Sequence, residues 1–306
     1  MEIIKAGTNF NFLGTMKIAI VISMVMIGIS ILSLLFHGGP NLGIDFAGGT
    51  LVQIQFKNKT TVNDIRSALK TSDMGGSVIQ QFGYATDNEF LIKTDKSSSE
   101  LQGISAHIED TLATQFAKGD FEIRRVEVVG PKVGKDLRQK GILAMMYAIV
   151  GILIYITWRF EFRYAVGAIT ALIHDVVITV GIFSLLNKEF SLPIIAALLT
   201  IIGYSLNDTI VVYDRIRENI KEIKRRTLGD IVNSSINQTL SRTILTSLTT
   251  LIVVFALFFL GGAVIHDFAF ALLVGIVIGT YSSIFVASPT ILVWERILPS
   301  KKKGKG

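Results

Sequence analysis

No cysteine occurs in the 306 residues. That absence excludes a disulfide framework and a thiolate metal site, and it leaves the redox compartment unread. Charge is scarce as well: charged residues make up 18% of the chain, apolar residues 50%, and the mean hydropathy is +0.54. Such a balance excludes an ordinary soluble domain and leaves an integral membrane protein. The formal net charge of +6 does not point to nucleic acid, because the basic residues flank apolar runs and form no patch with interleaved aromatics. No small-x-small cleavage site follows the first apolar run, Ile18 to Phe36; His37-Gly38-Gly39-Pro40 comes instead. A run of roughly 19 residues reaches about 28 Å as a helix, enough to cross hydrocarbon, so it reads as a retained span and not a cleaved signal peptide.

Five more apolar runs follow, at about Gly141 to Trp158, Tyr164 to Leu186, Leu192 to Tyr213, Thr243 to Leu260 and Phe268 to Trp294. The last is overlong, which predicts tilting, a bend at Pro289, or a part lying in the interface. Lysine and arginine gather at Arg159 with Arg163, from Arg215 to Arg226, and from Arg296 to Lys305. If six spans alternate, all three groups share one side, and the positive-inside rule makes that side cytoplasmic.

Only one long polar segment exists, residues 38–135. Thr50 to Phe56 is a β-branched run, and Val62, Ile65 and Leu69 share one face of a helix over Thr61 to Ser72. Ser77 to Phe82 and Glu89 to Thr94 read as strands around a turn from Gly83 to Asn88. A second helix, Ser99 to Lys118, carries Leu101, Ile104, Ile108 and Leu112, and Phe121 to Val129 is the last strand. The order βαββαβ is that of a ferredoxin-like α+β domain, with two helices on one face of an antiparallel sheet.

The expected fold is therefore an α-helical membrane protein of six transmembrane helices, with a small ferredoxin-like extracytoplasmic domain between helices 1 and 2. Its divisions are 1–37 (cytoplasmic N-terminus and first helix), 38–135 (the domain), 136–295 (helices 2 to 6) and 296–306 (a basic cytoplasmic tail). Within the third, 214–241 is read as a cytoplasmic amphipathic segment. There Ile216, Ile220 and Ile223 among Arg217, Lys221, Lys224 and Arg225 predict a basic helix lying on the leaflet and broken at Gly229.

The fourth span ends in Gly203-Tyr-Ser-Leu-Asn-Asp-Thr-Ile-Val-Val-Tyr-Asp-Arg-Ile-Arg217, which sets Asp208 inside a membrane helix. A carboxylate at that depth costs several kcal/mol, so such residues face a bundle interior or a water-filled path and mark transport. Helical spacing puts Tyr204, Ser205 and Thr209 on the side of Asp208, and Asn207 precedes it. Asp208 is the candidate proton carrier. His174 and Asp175 lie in mid-span, where relaying protons and packing through hydrogen bonds both remain open. Arg242 opens the fifth span with Thr246 and Thr249 on its face; periodicity alone favours an arginine snorkelling to headgroups. Gly275 and Gly279, extended by Ser283, form a step for close helix packing. No residue pattern assigns a metal or a cofactor.

Several motifs resemble the SecF family of the SecDF protein-export accessory, within the resistance-nodulation-division superfamily. They are Gly43-Ile-Asp-Phe-Ala-Gly-Gly-Thr50 after the first span, Val129-Gly-Pro-Lys-Val-Gly134 before the second, His174-Asp175, and Ser205-Leu-Asn-Asp-Thr-Ile-Val-Val212. Asp45, Gly48 and Gly49 belong to the first as a structural turn, and Ala47 departs from the more often polar residue of the family. The resemblance implies a non-enzymatic, multi-pass subunit of the bacterial inner membrane with both termini cytoplasmic. It would use the proton motive force to assist polypeptides leaving the SecYEG channel. It implies SecD as a pseudo-symmetric partner, YajC as a further candidate partner, and the translocating preprotein and protons as what is handled. It also places the residues matching Asp208 and Arg242 in a proton pathway. No second, larger polar segment occurs, so a separate SecF is expected and not a fused SecDF. The rival readings are a lipid or small-molecule exporter of the superfamily, an intramembrane aspartyl protease using Asp175 and Asp208, and a structural clamp for the channel.

Overall fold

A computed structural model describes residues 8–70, 74–83, 86–94, 101–117, 119–222 and 226–298. The expected basic tail Lys301 to Lys305, the residues Ile223, Lys224 and Arg225, and the side chains of Leu101 and Ile104 lie outside what is described. In chain order the elements are α1 (Met16–Phe36), α2 (Ile44–Ala47), β1 (Gly49–Phe56), α3 (Val62–Leu69), β2 (Val78–Phe82), β3 (Glu89–Thr94), α4 (Leu101–Leu112) and β4 (Phe121–Val129). They continue with α5 (Pro131–Arg159), α6 (Phe162–Leu185), α7 (Leu192–Glu222), α8 (Leu228–Leu260), α9 (Gly262–Ser282), a π-helical turn (Ser283–Ala287) and α10 (Ser288–Ile297). Among the described residues six helical stretches are long and apolar enough to cross a membrane: α1, α5, α6, α7, α8 and the run from Val264 to Ile297.

The strands form one antiparallel sheet in the order β2-β3-β1-β4, the ferredoxin-like arrangement that the βαββαβ pattern predicts. Alternate residues Val52, Ile54 and Phe56 of β1 and Phe90 and Ile92 of β3 point to one face, where Ile65 and Leu69 of α3 and Ile108 and Leu112 of α4 bury them. Each such side chain contributes about 1.5–3 kcal/mol of burial, which makes this a self-contained core. Thr61 caps α3 in a reciprocal capping box with Asp64.

In the bundle α6, α7 and α9 are inside and α5 and α8 outside. The first helix packs on α6 through small residues: a side chain at Gly181 would run into Ser30, the close approach that membrane helices use. Gly275 and Gly279 serve α9 in the same way, facing Ile201 and Ser205 of α7. The last span is irregular, as its length suggests, but the distortion is the π-turn ahead of Pro289. There the Ser288 hydroxyl bonds the Ser283 carbonyl at 2.8 Å and the Tyr213 hydroxyl bonds that of Ala287 at 3.0 Å.

The expected leaflet helix within 214–241 is corrected. The fourth span runs on without a break to Glu222, and Gly229 lies in the first turn of α8, which Thr227 and Asp230 cap. The isoleucine stripe is real, but Ile216 is buried in a protein core with Ile236 and Val232 of α8 instead of lying on lipid. Asn219 fixes the pair by donating to Ser235 at 2.8 Å and Gln238 at 2.9 Å.

Candidate functional site

Two buried acids occupy the bundle, and their surroundings differ. Asp175 is on α6, and its carboxylate is saturated. One oxygen is 2.9 Å from His174 Nδ1, and the other accepts from Ser205 of α7 at 2.6 Å and Ser282 of α9 at 2.8 Å. His174 continues outward: Nε2 lies 3.1 Å from Ser23 Oγ of α1, which is 3.0 Å from the Tyr281 hydroxyl, which in turn donates to the Ala19 carbonyl at 2.7 Å. Hydrogens can be counted along this chain. Tyr281 uses its own on a carbonyl, so Ser23 must donate to Tyr281 and the ring must donate to Ser23. The network therefore ties α1, α6, α7 and α9 together.

Asp208, on α7, is 2% exposed, and one side-chain hydrogen bond to it is described. The Ser247 hydroxyl of α8 donates to its carboxylate at 3.4 Å while lying 2.7 Å from Thr280 Oγ1 of α9. Thr280 spends its hydrogen on the Ile276 carbonyl at 2.8 Å. A serine has one hydrogen to give, so Ser247 serves Asp208 or Thr280 and not both at once. Nearby at helical spacing, Tyr204 Oη on α7 and Thr243 Oγ1 on α8 are buried with no partner among the described residues. Unspent buried hydroxyls of this kind are exceptional and call for a reason.

The sequence-predicted residues divide accordingly. His174 and Asp175 stand together, and Ser205 belongs to them, which corrects its assignment as a neighbour of Asp208. Thr209 is buried beside Asp208 in sequence, and Asn207 is exposed on the outer side of α7. Thr246 is also corrected: its hydroxyl bonds the carbonyls of Arg242 and Thr243 on its own helix. Arg242 is exposed part-way along α8, and no ion pair between it and Asp208 is found among the described residues. Sequence reasoning missed Ser247, Thr280, Ser282, Ser23 and Tyr281. A weak signal existed for the first, one helical turn beyond Thr243; the others are hydroxyls whose partners come from different helices.

Asp45, Gly48 and Gly49 form more than a turn. Residues 44–47 make the single-turn helix α2, and the Asp45 carboxylate accepts from the Leu192 N–H at 2.8 Å. Gly48, at φ +78°, is packed so tightly that a side chain there would stand 2.9 Å from Pro131 Cα.

Comparison with known proteins assigns the chain. Residues 108–297 match the model for the SecD/SecF protein export membrane protein C-terminal domain, and residues 33–60 match that for the SecD/SecF GG motif. The protein translocase subunit SecF of Magnetococcus marinus is 53% identical over 96% of this chain and 95% of its own length. The chain belongs to the SecF family of protein translocase subunits. The SecF subunit of Vibrio alginolyticus is 45% identical over 100% of this chain and 97% of its own. Among solved structures, SecDF from Thermus thermophilus, a translocon-associated membrane protein, superposes with a TM-score of 0.86 at 40% identity over 95% of this chain. SecDF in its super-membrane-facing form gives 0.68 at 39% identity over 97%. This SecF chain spans 39% and 40% of those two SecDF chains. With the family come a transport role and a multi-pass membrane protein.

Proposed function

We propose that this SecF chain is a subunit of a translocation accessory driven by the proton motive force. Protons pass through Asp208, and the resulting helix movement is passed to the 38–135 domain, which assists polypeptides leaving the SecYEG channel. One observation carries the reading. Asp208 is a buried acid whose single side-chain hydrogen-bond partner among the described residues has another claim on its hydrogen, so ionised and neutral forms favour different arrangements of Ser247 between α7 and α9. A full electrical charge moving across 100 mV supplies about 2.3 kcal/mol, comparable to the one or two hydrogen bonds that change hands. Asp175, fully partnered, holds the bundle together and positions His174.

The outer faces of α7 and α8 support a membrane partner. Asn207 and Arg242 are exposed there part-way along helices long and apolar enough to cross a membrane, and polar groups facing hydrocarbon need protein to cover them. SecD is that partner in this reading, Arg242 joins the proton pathway at the shared face, and YajC is a further associate. The basic helix ends make their side cytoplasmic, which puts the sheet domain outside the inner membrane. The protease reading loses ground, because Asp175 and Asp208 have separate partners and no shared hydrogen bond is described. The exporter reading has no observation in its favour.

The test is completion of preprotein transport in vesicles carrying the chain with SecD, with and without a proton gradient. Wild type responds to the gradient and Asp208→Asn does not. Equal gradient dependence in both rejects the mechanism.

A further inference from the structure

The segment 41–49 lies wedged between two parts of the bundle and runs directly into the sheet. On one side it is bonded to the connection before α7: the Gly43 N–H donates to the Phe190 carbonyl at 3.0 Å, the Phe190 N–H to the Asn41 carbonyl at 2.7 Å, and Phe46 packs with Phe190, Ile194 and Ile195. On the other side it abuts the start of α5. A side chain at Gly134 would lie 3.0 Å from the Gly48 nitrogen and 3.2 Å from the Phe46 carbonyl oxygen. No linker follows, since β1 starts at Gly49 and is hydrogen-bonded on both sides, to β3 and to β4. A second tie reaches the same place from β3, where Lys93 donates to the Leu42 carbonyl at 2.6 Å and pairs with Glu189 at 3.6 Å.

We propose that this segment is a stiff joint transmitting movement of α7 to the sheet domain, and that Asp45 is the positioning residue which engages it. The proposal rests on the proton-carrier reading of Asp208. The first residue of a helix has an N–H with no intrahelical acceptor, and in α7 the next residue, Pro193, has no N–H at all. Leu192 therefore presents a donor with no acceptor in its own helix, and the Asp45 carboxylate takes it at 2.8 Å. A side chain of the short helix feeding β1 thus grips the end of the span that carries Asp208 16 residues on, about 24 Å along a rigid helix. Displacement or rotation of α7 has to pull Asp45, and with it α2 and β1. An ordinary helix cap would stabilise α7 equally well from its own chain neighbourhood; here the acceptor is 147 residues away and belongs to the segment that launches the sheet.

The absence of native cysteine permits two unique spin labels, at Lys59→Cys in the sheet domain and Leu260→Cys at the end of α8, both exposed. The full chain is assembled with its partner subunit in vesicles and the interlabel distance distribution is measured. With Asp45 intact, Asp208→Asn, which imitates the neutral acid, shifts the distribution. Combined with Asp45→Asn, whose amide oxygen still accepts from Leu192, the shift remains. Combined with Asp45→Ala it is lost, and gradient-driven transport in the otherwise wild-type chain falls about fivefold, the equivalent of one cap. Should Asp45→Ala not assemble, Asp45→Ser, too short to reach, takes its place. A shift that persists with Asp45→Ala or Asp45→Ser overturns the joint while leaving the proton reading standing. Loss of the shift in Asp45→Asn as complete as in Asp45→Ala also overturns it, because charge and not the hydrogen bond would then matter. No shift from Asp208→Asn with Asp45 intact overturns the proton reading, and the joint with it.

Discussion

Replacing Gly48 by alanine tests whether the approach of the GG segment to α5 is as tight as the geometry says. Gly48 has φ +78° and ψ 175°, a combination open to glycine alone, and forcing another residue into it costs about 1–3 kcal/mol. The added methyl would also stand 2.9 Å from Pro131 Cα, 3.2 Å from Pro131 N and 3.3 Å from the Val129 carbonyl oxygen. All three are backbone atoms, and overpacking against groups that cannot rotate away adds about 1–3 kcal/mol. The sum is about 4 kcal/mol. Gly38 is the internal control: its φ is +70°, but nothing lies within 4 Å of a Cβ there, so alanine costs about 1 kcal/mol of backbone strain. The assay is native-state hydrogen exchange on the full chain, followed at the amides of β1. Gly48→Ala lowers protection of β1 by about a thousandfold and Gly38→Ala by no more than about fivefold. Equal effects of the two, or a loss below about tenfold at Gly48, would refute the packing argument.

Asp175→Ala strips His174 and Ser205 of their acceptor, while Ser282 keeps the Gly279 carbonyl at 3.1 Å, and lowers bundle stability by about 2 kcal/mol, read as a thermal shift of the detergent-solubilised chain; an unchanged melting temperature would show that the network holds nothing together. Glu189 gives a pH signature at the base of the sheet domain. Burial raises its pKa above 4.5, the Lys93 ammonium opposes this, and Asp267 and Asp45 add to it. A carboxyl raised in the fold contributes stability that is complete below pH 4.5 and lost as pH rises through its folded value. Glu189→Gln therefore flattens the pH dependence of β3 amide exchange above pH 4.5, and a slope as steep as wild type would contradict the assignment.

The small domain was legible because its signals are local. Glu89–Thr94 and Phe121–Val129 appear as strands with the expected bounds, fixed by alternation of period two and by flanking turn residues. The amphipathic stripe at Ile216 and Ile220 was legible as a stripe but not as to its covering. Periodicity reports which face is apolar, and whether lipid or another helix covers it depends on where the chain returns, here as α8. The same limit governs the site. Asp208 stands out because an acid inside an apolar run is costly wherever it is. Ser205, three residues earlier on the same helix, was grouped with it, although its hydroxyl is 2.6 Å from Asp175 on α6. Spacing within one helix cannot reveal which neighbour a side chain meets, and Ser247, Ser282 and Tyr281 matter only through such meetings.

Those meetings converge on one turn of α9. Gly279 lets its backbone approach Ser205 on α7, Thr280 meets Ser247 on α8, Tyr281 bonds Ala19 and Ser23 on α1, and Ser282 donates to Asp175 on α6. Successive helical residues point about 100° apart, so four in a row sweep most of the circumference, and a helix surrounded by neighbours touches each of them in one turn. Packed interfaces have discrete arrangements and do not deform continuously. In the proton-carrier reading proposed above, the Ser247 hydroxyl, having one hydrogen for Asp208 and Thr280, is the contact in this turn whose partner depends on the state of the Asp208 carboxyl. If that hydrogen goes to the ionised acid, Thr280 loses its donor, and α9 is freed on the α8 side while Ser282 still fastens it to α6. If the acid is neutral, Ser247 returns to Thr280 and the grip is restored. The π-turn that follows at once, Ser283–Ala287, gives the span a point of irregular winding at which such a shift can be absorbed without disturbing α10.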